Sequence, residues 1–267
     1  MMQPHQELRS SEYNVPSSCR NLERNPSWLP DQLVIKEQLH KAEIPVVPEM
    51  ARLTPNGDVT VFVRNLMSLN KFVLKSSLEG SMSGTTIIVG RHKDVFKSAR
   101  GELVTQETLT QHIINIISGV YAFGRSETAF VEPRLKPAAF FASFYPVGIT
   151  EIHLEINHGK IVNSLFMLPT LTSEGRSRLH MGAIGVTVDP DTGITAQASQ
   201  AFGKIFQHPE NGLPLIDRVV PDWTDIISIA TAAAKLLLIS RARIRVVVDQ
   251  QRGPLVLDVK PREAVTL

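Results

Sequence analysis

The sequence predicts an α+β fold built on largely antiparallel sheet. Segments rich in β-branched and aromatic residues outnumber amphipathic helical ones, and successive strand-like segments are joined by turn sequences of hairpin length. No strand–helix–strand unit repeats along the chain, which disfavours a doubly wound Rossmann-type sheet, and no internal repeat is visible.

Residues 1–24 hold Pro4, Pro16 and a Ser-rich patch without apolar periodicity, and read as a flexible lead-in, with the fold starting near Asn25. Leu33, Val34 and Leu39 among charged residues predict a helix from Asp31 to Ala42 with Asp31 as its cap. A strand is expected over Ile44 to Leu53. After the turn signal Asn56-Gly57, Val59 to Val63 either pairs back across the turn or opens another short element. Phe72 to Lys75 and Thr85 to Val89 read as a hairpin with a small-residue tip from Ser76 to Gly84. Leu109, Ile113, Ile116 and Ile117 recur at helical spacing and predict a helix from Thr105 to Ser118. Strands are expected at Thr128 to Leu135, Glu151 to Ile156 and Ile161 to Leu168, the last two joined by Asn157-His158-Gly159-Lys160. Gly182 to Val188 gives another strand before a turn at Asp189 to Gly193. The longest helix runs from Trp223 to Leu238, and strands Arg243 to Asp249 and Leu255 to Val259 close the chain around Gln251-Arg252-Gly253-Pro254.

With 267 residues, 43% of them hydrophobic and 20% charged, the chain is large and apolar enough for a substantial core, which excludes wholesale disorder. A net charge of +2 without a basic arm gives no case for nucleic acid. The longest apolar stretch, Ile226 to Ile239, is interrupted by Ser228, Thr231 and Lys235 and falls short of the roughly 20 residues that a membrane helix needs. The polar N-terminal stretch lacks a secretory signal, so a cytoplasmic location is expected. Cys19 is the single cysteine, so internal disulfides and cysteine metal clusters are excluded.

GxGxxG, Walker A, HExxH and GxSxG patterns are absent. His153, His158 and His180 fall in different predicted elements without paired-ligand spacing, which argues against zinc. The hairpin tip reads two ways. Small residues at Gly80, Ser81, Ser83 and Gly84 let backbone N–H groups approach an anion beside Lys75, whereas the simpler reading is a flexible solvent-exposed hairpin with a surface lysine.

The order of the surrounding segments adds to this. Asn25-Pro26, Asp31-Gln32-Leu33, Lys36 and Ala42 to Val46 precede Phe72 to Lys75 and its small-residue loop. They are followed by His112 to Gly119, Phe130-Val131-Glu132, Leu168-Pro169-Thr170, Ser173-Glu174-Gly175, Leu179 to Gly182 and Gly253 to Arg262. In this order the chain resembles the ATP-grasp superfamily, and more narrowly its α-L-glutamate ligase-like, sugar-transfer-associated branch, over about Asn25 to Val265. The resemblance implies two α+β lobes, about 25–135 and 136–267, around a nucleotide cleft. It implies ATP, with magnesium bridging the phosphates, and formation of an acyl phosphate from a small carboxylate or amino acid that an amine then captures.

Carried over by position, Lys75 matches a lysine that contacts ATP phosphates, Gly80 to Gly84 the loop over them, and Glu132 the acid at the start of the adenine and ribose segment. Asp258 stands where the family places a metal-binding glutamate. Arg262 also matches and, with His153, is a candidate for a catalytic role. The sequence departs from the family elsewhere: Gln32 replaces an earlier ATP-contacting lysine, and His153 and Met167 replace arginines. Arg178, Arg245 and Lys260 stand at metal-side asparagine, aspartate and asparagine positions, and cations do not ligate magnesium. These three either hold an anion without metal or are solvated or paired with Glu151, Glu174 or Asp258. Three functions remain open: a nucleotide- or phosphoanion-binding protein with a degenerate ligase site, an active carboxylate–amine ligase with a metal site rebuilt around Asp258 and Asp249 or Glu263, and a non-catalytic module for a protein partner.

Overall fold

The computed structural model describes residues 31–78, 84–201 and 203–262. The lead-in, Cys19, Asn25-Pro26, Gly80, Ser81, Ser83 and Glu263 lie outside the described residues.

Helix α1 (Gln32–Lys41) starts at Asp31, whose carboxylate accepts from Leu33 N at 2.8 Å, as the sequence predicts. The expected strand from Ile44 is mostly not formed. Pro45 and Pro48 remove backbone donors, so only β1 (Ala51–Leu53) joins a ladder, while Val46 makes a single parallel bridge to Val256. Val59 to Val63 does not pair across the turn; Asp58 caps it, accepting from Val61 N at 3.0 Å, and it opens helix α2 (Val59–Leu66) with Phe62, Val63 and Leu66 inward.

The hairpin forms from β2 (Phe72–Ser76) and β3 (Thr86–His92). Two short strands that the sequence did not announce follow, β4 (Val95–Ser98) and β5 (Leu103–Val104), then helix α3 (Gln106–Ile117), capped by Thr105, and β6 (Ala129–Pro133). The six strands form one antiparallel sheet in the order β1-β6-β2-β3-β4-β5.

A short helix α4 (Ala139–Phe144) leads to β7 (Glu151–Asn157) and β8 (Lys160–Leu168), then β9 (Ile184–Val188), β10 (Thr195–Gln200) and β11 (Gly203–Ile205). Helix α5 (Trp223–Leu236) precedes the terminal hairpin of β12 (Arg241–Asp249) and β13 (Gly253–Pro261). This second antiparallel sheet runs β11-β10-β9-β8-β7-β12-β13.

Each sheet has one face in a core and one toward the other sheet, and strand alternation decides which side chains go where. In the first sheet Phe72, Leu74, Ile88, Phe96 and Val131 are buried against Phe62 and Leu66 of α2 and Leu109, Ile113 and Ile116 of α3. In the second, Ile152, Leu154, Ile156, Ile244, Val246 and Val259 pack on α5 and on Ile35 and Leu39 of α1. Helix α1 therefore belongs to the second core although the chain reaches it first. No helix among the described residues is long and apolar enough to cross a membrane.

The face assignment yields a paired test. Leu74→Ala, in the core face of β2, should cost about 2–5 kcal/mol, as buried leucine truncations do, and Val73→Ala, on the opposite face, less than half of that. Urea unfolding of both variants measures the difference, and equal losses would contradict the two-face assignment.

Candidate functional site

The free faces of the two sheets enclose a cleft of about 1080 Å³. Eleven Lys and Arg side chains line it against four Asp and Glu, an excess of cations far above that of the whole chain. A cleft so charged is suited to anions.

Register builds the first wall. Val73 lies opposite Glu132 and Lys75 opposite Phe130, and Val73 also faces Ile87, so all five share the cleft face. The Glu132 carboxylate, 2% exposed, is shared by two ammonium groups: Lys75 at 2.6 Å and Lys36, which reaches down from α1. The Lys36 ammonium also lies 5.4 Å over the Phe130 ring. Burial, with Lys75 beside it and against the pull of Glu49, lowers the Lys36 pKa from 10.5 to about 6. Two cations on one buried carboxylate leave a surplus proton, and Lys36 is where it is released. Gln32, expected in place of a phosphate-contacting lysine, points its Nε2 to Val259 O at 3.3 Å, and Lys36, one helical turn further on, brings an amino group to the cleft instead.

The tip of the hairpin is anchored below. Ser77 O accepts from Gln32 N at 2.8 Å, and Leu78 N donates to Glu127 at 3.2 Å. A Cβ on Gly84 would lie 2.8 Å from Ser76 Oγ, so only glycine lets the returning strand pass this close. Burial pushes the Glu127 carboxyl above its ordinary value, against the hydrogen bonds it makes with Ser76 and Leu78 N.

The second wall alternates in the same way: Glu151, His153 and Glu155 on β7 and Arg243 and Arg245 on β12 face away from the core. A bulge between Arg245 and Val246 lets β13 present Leu257 and Asp258 together. Arg245 is the centre. Its Nε donates to Asp258 Oδ1 at 2.7 Å, a terminal nitrogen binds Asp258 Oδ2, and the other donates to Glu151 Oε2 at 3.0 Å. Burial opposes the charge on Glu151, but Arg245 and the hydrogen bond from His153 hold its carboxyl well below the usual carboxylate range. His153 Nε2 lies 3.0 Å from Glu151 Oε2, and burial lowers its pKa despite that partner. Arg243 and Arg262 share Glu155 at 2.8 Å and 3.3 Å.

These donors do not fit a divalent cation. Both Asp258 oxygens are on Arg245, Glu151 is held by Arg245 and His153, and Arg178 and Lys260 stand close by in the same cleft. Asp249 accepts from Lys136 N at 3.0 Å and from the β12–β13 turn, away from the cleft lining. Among the described residues no group of three or more His, Cys, Asp or Glu is placed to hold a metal.

Lys75, Glu132, Arg178, Arg245, Asp258, Lys260 and Arg262 thus line one cleft, whereas His153 touches it through Glu151 and His158 lies in the β7–β8 turn. Lys36, Arg243, Arg100 and Arg176 also line it and were not singled out. For Arg243 the signal was present in the alternation Arg241-Ala242-Arg243-Ile244-Arg245, which puts three arginines on one strand face.

A family model described as sugar-transfer associated ATP-grasp matches residues 10–267. Among solved structures the fold is similar to D-cycloserine synthetase DcsG, at 16% identity over 89% of this chain and 63% of that chain, with a TM-score of 0.48. It is also similar to the D-alanine-D-alanine ligase from Coxiella burnetii, at 14% identity over 86% of this chain and 47% of that one, with a TM-score of 0.45. A third similar structure is the biotin carboxylase domain of the Hydrogenobacter thermophilus 2-oxoglutarate carboxylase, solved with MgADP and bicarbonate, at 16% identity over 89% and 41% and a TM-score of 0.44. The chain spans less than two thirds of each of these chains. No curated protein matches the sequence.

Lys36 gives a pH signature. The unfolded chain keeps this proton up to about 10.5 and the folded one up to about 6, so between these values the unfolded state binds more protons and stability rises with pH. Denaturant unfolding between about pH 7 and 9 should show that rise in the parent protein and a flatter profile in Lys36→Met; identical slopes would remove the assignment.

Proposed function

The chain belongs to the sugar-transfer-associated ATP-grasp family, and from that premise we propose that it binds ATP or a related phosphorylated anion in the cleft without a magnesium-dependent ligation site. The observation that carries this reading is the position of Arg245. It holds Asp258 and Glu151, two acids of the second wall, in a site where a divalent cation would need those same oxygens. A guanidinium clamped by two carboxylates is a fixed cation, and it offers charge to a polyphosphate without metal.

The remaining parts have consistent roles. Lys75 keeps its charge beside Glu132, and Lys36, whose proton burial releases, takes it up again when phosphate oxygens arrive beside it. Leu135, Ile149, Val247 and Leu257 form an apolar stretch of the lining in which the flat face of a base loses little by leaving water. Lys260 and Arg178 close the second wall. Arg262, tied to Glu155, orients a second reactant. When a metal is bound in a ligase of this fold it neutralises the transferring phosphoryl group; here that task falls to Arg245, Lys260 and Arg178, which favours retention of the anion over its transfer. An open cleft with a cationic lining favours ligand binding over a scaffold that only docks a protein.

Calorimetric titration with ATP and with ADP, each with excess magnesium and with excess chelator, tests this. Affinities should agree within about threefold across metal conditions, and Lys75→Ala should weaken binding by about 1.5–3 kcal/mol, the range for hydrogen bonds to charged groups. Binding that requires magnesium would restore the active-ligase reading, and no binding would leave the fold as a scaffold.

A further inference from the structure

Anion binding uses Lys36 only as a cation, yet before a ligand arrives this residue is a neutral amine in the wall of the cleft. Lys36 and Lys75 sit on the two oxygens of one carboxylate, Lys36 on Glu132 Oε1 and Lys75 on Oε2 at 2.6 Å. A single buried carboxylate balances a single ammonium, and the surroundings decide which nitrogen keeps its charge. The Lys75 side chain is 20% exposed and that of Lys36 8%, with the Lys36 nitrogen also 5.4 Å over the Phe130 ring. Loss of solvent therefore falls on Lys36, and Lys75 beside it adds repulsion, which together lower its pKa to about 6. The other acid acting on it, Glu49, is occupied by Arg52, which binds both of its oxygens at 2.6 Å and 2.8 Å.

A desolvated lysine next to a second cation is the form in which an amine adds to a carbonyl carbon near neutral pH. Its mounting is rigid. Helix α1 is capped by Asp31, packs through Ile35 and Leu39 in the second core, and is tied to the first sheet where Gln32 N donates to Ser77 O at 2.8 Å. Lys36, Lys75 and Glu132 all line the cleft, so nucleophile, proton carrier and cation are one carboxylate apart and within reach of one small anion.

We infer that Lys36 is a covalent capture site for a phosphorylated aldehyde or ketone, whose phosphate lies on Lys75 and whose carbonyl carbon meets the Lys36 nitrogen. This rests on the reading of the cleft as an anion site and narrows the class of its ligand. The nitrogen bonds to the carbonyl carbon while one of its protons passes through Glu132 to the carbonyl oxygen, giving a carbinolamine. The nitrogen lone pair then expels that hydroxyl, which leaves as water with the second nitrogen proton, again by way of Glu132, and a C=N bond remains. One amine and one carbonyl give one imine and one water, with no oxidant or reductant. ATP acts in the opposite sense, because its phosphate oxygens return the proton to Lys36 and remove the nucleophile.

The probe is glycolaldehyde phosphate, with glycolaldehyde as the control that lacks phosphate. Each is incubated with the full chain and cyanoborohydride, which reduces the imine to a stable amine, and peptide mass mapping gives the rate at every lysine. At pH 7 the phosphorylated probe should label Lys36 at least about tenfold faster than the exposed Lys160 and Lys235, and at least about tenfold faster than the control labels it. An amine of ordinary lysine pKa gains about a hundredfold in neutral fraction between pH 7 and 9, and Lys36 gains little, so its lead over the exposed lysines should shrink by about thirtyfold or more. ATP in chelator should protect Lys36. Lys75→Ala, checked for folding by circular dichroism, should lose most of the preference for the phosphorylated probe, while the other readouts need only the parent protein. Selective, phosphate-dependent labelling in a chain that shows no calorimetric binding of ATP supports the capture site and removes the nucleotide reading. ATP binding with Lys36 labelled no faster than the exposed lysines overturns the capture site alone. Equal rates with both probes, a lead that does not shrink with pH, labelling unchanged by bound ATP, or a preference kept in folded Lys75→Ala also overturn it.

Discussion

One buried guanidinium between two carboxylates fixes the second wall. Removing three charged groups from water is unfavourable, and the Glu151–Arg245–Asp258 arrangement is tolerated because every bond is charge-assisted and the acids approach from strands on both sides of β12. Truncating any member would leave an uncompensated buried charge, so the three constrain one another's substitution. The β13 bulge brings Asp258 onto Arg245, and the same bulge leaves Leu257 in the cleft. The apolar stretch and the ionic centre of this wall therefore share one backbone irregularity.

The two buried centres, Glu132 on the first wall and Arg245 on the second, divide charge in opposite ways. On the second, one cation is divided between two anions; on the first, one anion is divided between two cations, which is why burial releases a proton at Lys36. On the proposed reading, an anion between the walls meets Lys75 on one side and on the other a guanidinium that cannot follow it.

Much of the scaffold was legible in the sequence. Helices α1, α3 and α5 declared themselves through apolar spacing and, in α1 and α3, through side-chain caps, and the hairpins through short turns between β-rich segments. Strand β10, Thr195 to Gln200, escaped because its small polar residues carry no apolar alternation, and α4 because six residues are too few to show a period. In the site, Lys75, Glu132 and Asp258 were accessible by position, and pairing of Arg245 with Glu151 or Asp258 was one of two open readings, whereas Lys36 as a partner of Glu132 was not in view. Pairing of Arg245 with Asp258 depends on cross-strand register through a bulge, and the role of Lys36 on which turn of α1 faces the cleft. Ion-pair partners far apart in sequence have no local signature, so the choice between a paired and an anion-holding Arg245 needed coordinates.

Gln32 bonds Val259 across 227 positions of sequence, and α1 packs in a core completed by β13. During synthesis the helix leaves the ribosome long before the strand that covers it, while the first sheet and its helices, contained between Ala51 and Pro133, have all their parts in hand. The order of assembly is thereby inverted relative to the order of the chain. The segment between Ala51 and Pro133 can fold while translation continues, whereas α1 finds its covering strand only once β13 has been made.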